Sequence, residues 1–125
     1  LVDTNVLIRL ITGDIPELAE KAKAMVLGYK PGCLSVPDIV LCELFFVLEN
    51  NDNYLLERAD VCDTLEVLLR LPQLKCSPLA VSALPLARRM PKLDFTDCLL
   101  ILQAGTDGDV LTFDKLLLKN LPKRP

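Results

Sequence analysis

Ile39-Val40-Leu41-Cys42-Glu43-Leu44-Phe45-Phe46-Val47-Leu48 is the stretch on which the reading of this chain turns. Apolar residues surround a single carboxylate. A segment that apolar heads for the interior, where an unpaired charge is strongly disfavoured. Glu43 must then meet a base, a proton or a metal ion, and no basic residue lies between Pro31 and Glu57. Working outward, three more acids stand in similar settings. Asp3 follows Leu1-Val2 and precedes Thr4-Asn5-Val6-Leu7-Ile8. Asp97 opens Cys98-Leu99-Leu100-Ile101-Leu102, and Asp114 closes Val110-Leu111-Thr112-Phe113. Four carboxylates on core-forming elements, with little base to pair them, point to a divalent-cation site.

Composition narrows the chemistry. At 125 residues the chain reads as one domain, 1–125, able to bury one core. Its 51% hydrophobic content excludes a disordered chain. No apolar run approaches the roughly 20 residues of a membrane helix. No signal peptide precedes the first strand-like residues, so a cytoplasmic protein is expected. The chain opens at Leu1 without Met, and further residues are expected ahead of it. Its five cysteines (33, 42, 62, 76 and 98) form no CxxC pair and sit mostly among apolar neighbours, which predicts reduced thiols and no zinc site. His is absent, which removes Ser-His-Asp, Cys-His and His-based acid–base arrangements. No GxGxxG or P-loop motif occurs. Carboxylates remain, and they suit Mg²⁺ or Mn²⁺. A net charge of −3 and a pI near 4.9 argue against a general polyanion binder.

Strand and helix signals alternate along the chain. Leu1-Val2 reads as the end of a buried strand, followed by a short helix over Val6 to Ile11. Asp14 and Glu17 resemble a capping box for a helix to Leu27, with Leu18, Ala22, Met25 and Val26 on one face and Gly28 as its stop. Cys33 to Val36 is a strand candidate, and Pro37 starts the helix carrying Glu43. A second helix is expected from Tyr54 to Leu71, ended by Pro72. Leu74 to Ser77 is a strand candidate, Leu79 to Arg89 a helix kinked at Pro85, and Asp94 to Gly105 a helix. Asp109 to Phe113 reads as a last strand, Asp114 to Leu121 as a final turn or two, and the tail from Pro122 as irregular. This alternation predicts an α/β domain with a central parallel sheet, whose ligands bind beyond the carboxyl ends of the strands. Asp3 and Asp114 fall there.

Each acid also has a plainer reading. Asp3 can be a turn former and Asp114 a helix cap. Glu43 can sit in a structural salt bridge, and Asp97 can be a first-turn acid favoured by its helix dipole. Asp94 can cap that helix or supply a supporting oxygen. Thr4, Asn5 and Thr112 can be strand-edge polar residues, or can hold the carboxylates and metal-bound water.

Taken together, these residues resemble the PIN-domain nucleases and, within them, the VapC-type toxins of toxin–antitoxin pairs. Leu1-Val2-Asp3-Thr4-Asn5-Val6-Leu7-Ile8-Arg9 is similar to that family's opening strand and first acid. Thr12-Gly13-Asp14 before a Glu- and Ala-rich helix, Glu43 in mid-helix, Leu93-Asp94-Phe95-Thr96-Asp97-Cys98-Leu99 and Leu111-Thr112-Phe113-Asp114 continue the resemblance. Three features depart from it: the short first strand, the acidic pI, and the short stretch after Asp114 where a final strand is expected. The resemblance implies a PIN-like three-layer domain, a central parallel sheet flanked by helices. It implies Asp3, Glu43, Asp97 and Asp114 as the metal-ligating, catalytic acids, Asn5 and Thr112 as supporting residues, and Mg²⁺ or Mn²⁺ as cofactor. The implied reaction is hydrolysis of RNA phosphodiesters, with an antitoxin and a second copy of the chain as partners.

For guiding a phosphate backbone, Arg9, Arg88, Arg89, Lys92 and Lys115 are the candidates. Other classes stay open: a PIN-like interaction domain without turnover, and a phosphate-accepting receiver-like domain, in whose design Glu43 has no place. A mean hydropathy of +0.36, with Leu55, Leu56, Leu68, Leu69 and Leu71 on more than one side of the 54–71 helix, adds support for a homodimer.

Overall fold

Capping residues and prolines set most element boundaries in the computed structural model, which describes residues 1–122. Asp3 caps α1 (Thr4–Thr12), which ends at Gly13 with a left-handed φ of 58° that suits glycine. Pro16 opens α2 (Pro16–Leu27), and Pro37 precedes α3 (Asp38–Asn50). α4 spans Arg58–Leu68. Ser77 caps α5 (Pro78–Arg89) by accepting from the Ala80 amide, and Pro85 lies inside that helix. Asp94 caps α6 (Phe95–Ala104), and Asp114 caps α7 (Lys115–Asn120). Residues 123–125, the end of the expected irregular tail, lie outside the described residues.

The expected three-layer α/β domain with a central parallel sheet is not what the chain forms. Of the described residues, 60% are helical and 3% lie in strands. The sheet is one parallel pair, β1 (Leu34–Ser35) and β2 (Leu74–Lys75), with Leu34 opposite Leu74. Leu1-Val2 adds one rung, Val2 N to Ser35 O at 2.9 Å, and a strand needs successive rungs. The segment 110–113 makes no backbone ladder bond among the described residues, and its alternation runs the wrong way. Leu111 and Phe113 are 97% and 104% exposed, while Thr112 is half-buried. A parallel strand is buried on both faces, so a segment showing its apolar side chains to water has no reason to pair there.

Helix packing carries the fold. α1 packs on α2 and α3, α4 on α3 and α5, and α6 on α5, α3 and α7. One continuous buried cluster runs through these elements, from Val2 to Leu117. At its centre the rings of Phe45 and Phe95 stack with centroids 4.5 Å apart. Such a pair adds about 1 kcal/mol beyond its buried area. Phe45 lies two residues from Glu43 and Phe95 two from Asp97, so this contact sets the two acid-bearing helices side by side. No helix among the described residues is long and apolar enough to cross a membrane.

Two further expectations change. Asp14 does not cap α2, whose N-cap is Ile15 without a side-chain bond. Its carboxylate instead accepts from Thr12 Oγ1 at 2.8 Å, Tyr54 Oη at 2.9 Å and Arg9 Nη1 at 3.0 Å. Those bonds, the one from Thr12 foremost, hold the Asp14 carboxyl down at about 2. The 54–71 helix is shorter than read, because residues 51–54 turn and Leu55 takes a φ of 43°. Leu56, Leu69 and Leu71 then pack against the core from outside the helix. Of the five leucines read as covering more than one side of that helix, only Leu55 is exposed.

Candidate functional site

The apolar run around Glu43 places it inside; the structure places it outside. Val40, Leu41, Leu44, Phe45 and Leu48 form the buried stripe of α3, and helical spacing turns Ile39, Glu43, Phe46 and Asn50 to the exposed face. Glu43 is in no salt bridge among the described residues. Its Oε2 accepts a 3.1 Å hydrogen bond from Thr4 Oγ1, 39 residues away. Thr4 is 3% exposed, so this hydroxyl is a fixed, interior donor tying α1 to α3. It sits beside Asp3, whose Oδ1 accepts from the Thr4 amide at 2.8 Å. Thr4 thus performs the carboxylate-holding role that its position suggested.

Asp97 lies on the first turn of α6 in a reciprocal cap. Its amide donates to Asp94 Oδ1 at 2.8 Å, and its Oδ2 accepts from the Asp94 amide at 3.3 Å. Partial burial pushes the Asp97 carboxyl above the usual carboxylate range, and the negative charges of Asp94 and Asp114 push it further. Asp114 itself caps α7. Its Oδ1 accepts from the amides of Leu116 and Leu117, and its own amide donates to Thr112 Oγ1 at 3.0 Å. The plainer readings of Asp3, Asp97 and Asp114 as caps and first-turn acids therefore hold as local structure. Asn5 is exposed and makes no side-chain hydrogen bond among the described residues.

None of the four acids pairs with Lys or Arg among the described residues. The acids form two groups, Asp3 and Glu43 joined through Thr4, and Asp97 with Asp94 and Asp114. The donor set is carboxylate oxygen throughout, which suits Mg²⁺ or Mn²⁺. Its placement does not: among the described residues, no group of three or more His, Cys, Asp or Glu stands close enough to hold a metal ion.

Two of the five basic residues considered for phosphate guidance have carboxylate partners. Arg9 pairs with Asp14, and Arg88 with Asp63 and Glu66. Arg89, Lys92 and Lys115 are exposed. Arg58, which nothing in the sequence marked, is the one buried base among the described residues. It grips Glu49 with two 3.1 Å bonds, donates to the carbonyls of Ala87 and Met90, and lies over the Phe45 ring at 5.7 Å. The base that meets α3 therefore serves Glu49 and leaves Glu43 without a cation. Beside Arg58, a cleft of about 740 Å³ opens between α3, the start of α4 and the turn into α6, with Asp94 on its wall.

Helices around a short parallel ladder, with acids at helix N-termini, define a small carboxylate-bearing helical domain. The PIN-domain family model matches residues 1–123, and the chain belongs to that family. Comparison with curated proteins and with solved structures gave no match.

Proposed function

We propose that this PIN-family chain is a metal-dependent endoribonuclease, the toxin of a VapC-type toxin–antitoxin pair. Asp3, Glu43, Asp97 and Asp114 are its working acids, with Asn5 and Thr112 in support. The observation that supports this reading is the Asp94–Asp97 pair, joined by reciprocal hydrogen bonds and matched by no Lys or Arg among the described residues. Carboxylate oxygens are the donors that Mg²⁺ or Mn²⁺ takes, and binding would have to draw the two groups of acids together. When bound, Mg²⁺ or Mn²⁺ would supply activation of water and neutralisation of charge at the phosphate. The chain's own residues orient the acids: Thr4 holds Glu43, the cap with Asp94 holds Asp97, and Thr112 fixes the backbone of Asp114. The proposed partners are single-stranded RNA, a second copy of the chain, and an antitoxin that brings a basic side chain to the acids.

A second reading is a PIN-like interaction domain without turnover. On placement alone it is the better supported of the two, because no three acids gather among the described residues. The family and the identity of the four acids favour the first. A receiver-like domain has little support, since its acids would stand at the ends of a central sheet and the described residues form only a two-residue ladder.

An RNA-cleavage assay separates the two leading readings. Wild type should cut single-stranded RNA with Mn²⁺ or Mg²⁺ and not in EDTA, and Asp97→Asn should lose most of that activity while keeping its helical circular dichroism. No metal-stimulated cleavage by wild type would leave the interaction domain as the function.

A further inference from the structure

The cleft beside the acids has an unusual lining. Its volume of about 740 Å³ lies in the range of ligand sites. Phe46 reaches it from the exposed face of α3, the face that also carries Glu43, and is 67% exposed. Asn50, one turn on, donates its amide to the Phe46 carbonyl at 2.9 Å, which leaves its side-chain oxygen to accept from a ligand. Three cations line the cleft. Arg58 is taken by Glu49 and Arg88 by Asp63 and Glu66, so Lys92 is the only one with no carboxylate partner among the described residues. Asp94 forms part of the wall and exchanges hydrogen bonds with Asp97, so cleft and acids share a boundary.

The geometry points to a nucleobase subsite: a base of single-stranded RNA stacks on Phe46, with its phosphate against Lys92 and the next phosphodiester at the Asp97 edge. This rests on the reading of RNA as substrate. An exposed ring face takes any base, and stacking supplies most of the binding that an acidic protein cannot draw from its charge. Glu57 and Asp94 also line the cleft, so general attraction for a polyanion is weak there and the ring must dominate. A single phosphate contact at Lys92 contributes only about 0.7 to the slope of log affinity against log salt.

The test is binding of a labelled hexaribonucleotide to the whole chain in Ca²⁺, with gels confirming that the RNA stays intact. Phe46→Ala and Phe46→Leu should each weaken binding about tenfold, and Phe46→Tyr should stay close to wild type. An abasic residue at the stacked position should cost wild type as much as Phe46→Ala does, and should cost Phe46→Ala little more. Lys92→Gln should reduce the salt slope by about 0.7. The chain has no Trp, so Phe46→Trp adds a single emitter whose quenching by RNA reports the stack directly. Unchanged affinity in Phe46→Ala, or no RNA binding by wild type, overturns the subsite. Phe46-dependent binding without Mn²⁺-stimulated cleavage would keep the subsite and sink the ribonuclease reading.

Discussion

Arg58→Ala should destabilise the protein by about 3 kcal/mol without touching any of the proposed acids. Arg58 is 9% exposed, and its guanidinium makes four hydrogen bonds, two to Glu49 and one each to the carbonyls of Ala87 and Met90. Removing one partner of a buried pair costs about 3–5 kcal/mol, because the other charge is left uncompensated. Glu49 has 21% of its side chain exposed and can recover some hydration, which brings the cost to the low end. The Ala87 carbonyl loses its side-chain donor, and Phe45 loses the cation above its ring. Against a total stability of about 5–15 kcal/mol, the loss should be plain in urea titrations followed by circular dichroism. Arg58→Met with Glu49→Leu should recover much of the deficit, since apolar replacement of both partners removes the stranded charge. A loss below about 1 kcal/mol in Arg58→Ala would refute the view that this network joins α3, α4 and the end of α5.

Other outcomes follow from single groups. Asp97 has a folded pKa above its unfolded one, so it disfavours folding as pH rises through the unfolded value toward the folded value, and the penalty persists above that. Asp97→Asn removes the charge and keeps an oxygen for the Asp94 amide, so in EDTA at neutral pH it should melt at or above wild type; a clear drop in melting temperature would contradict this. Thr4→Val keeps the shape and deletes the donor to Glu43, and should cost about 1 kcal/mol by urea titration, with Thr4→Ser closer to wild type. Among the thiols, exposed Cys33 should react first with a disulfide reagent. Cys62 and Cys98 should react only on unfolding, because both are fully buried and burial pushes the Cys98 thiol up to about 11.

Helix positions were legible where the chain punctuates them locally, as with the stop at Gly28 and the start at Pro37. The sheet was not legible, since an apolar alternation such as 110–113 becomes a strand only where a neighbour offers rungs and cover. Glu43 was misplaced by reading its run as uniformly buried; spacing at 40, 41, 44, 45 and 48 already turned it outward. The capping box at Asp14 failed because Thr12, Arg9 and the distant Tyr54 take the same carboxylate. Arg58 carried no local signal: its partners lie 9, 29 and 32 residues away, and only the fold brings them together.

Titration of the metal-free protein with Mn²⁺ by calorimetry, run on wild type and on Asp3→Asn, Glu43→Gln, Asp97→Asn and Asp114→Asn, tests the central claim most directly. If the four acids draw together around an ion, wild type binds Mn²⁺ and its melting temperature climbs with metal concentration, as binding to the folded state requires. Each variant should bind more weakly and gain less. No binding heat and no thermal shift in wild type at millimolar Mn²⁺ would contradict the account and leave Asp3, Asp97 and Asp114 as capping and first-turn acids, and Glu43 as the acceptor of Thr4, on an interaction domain.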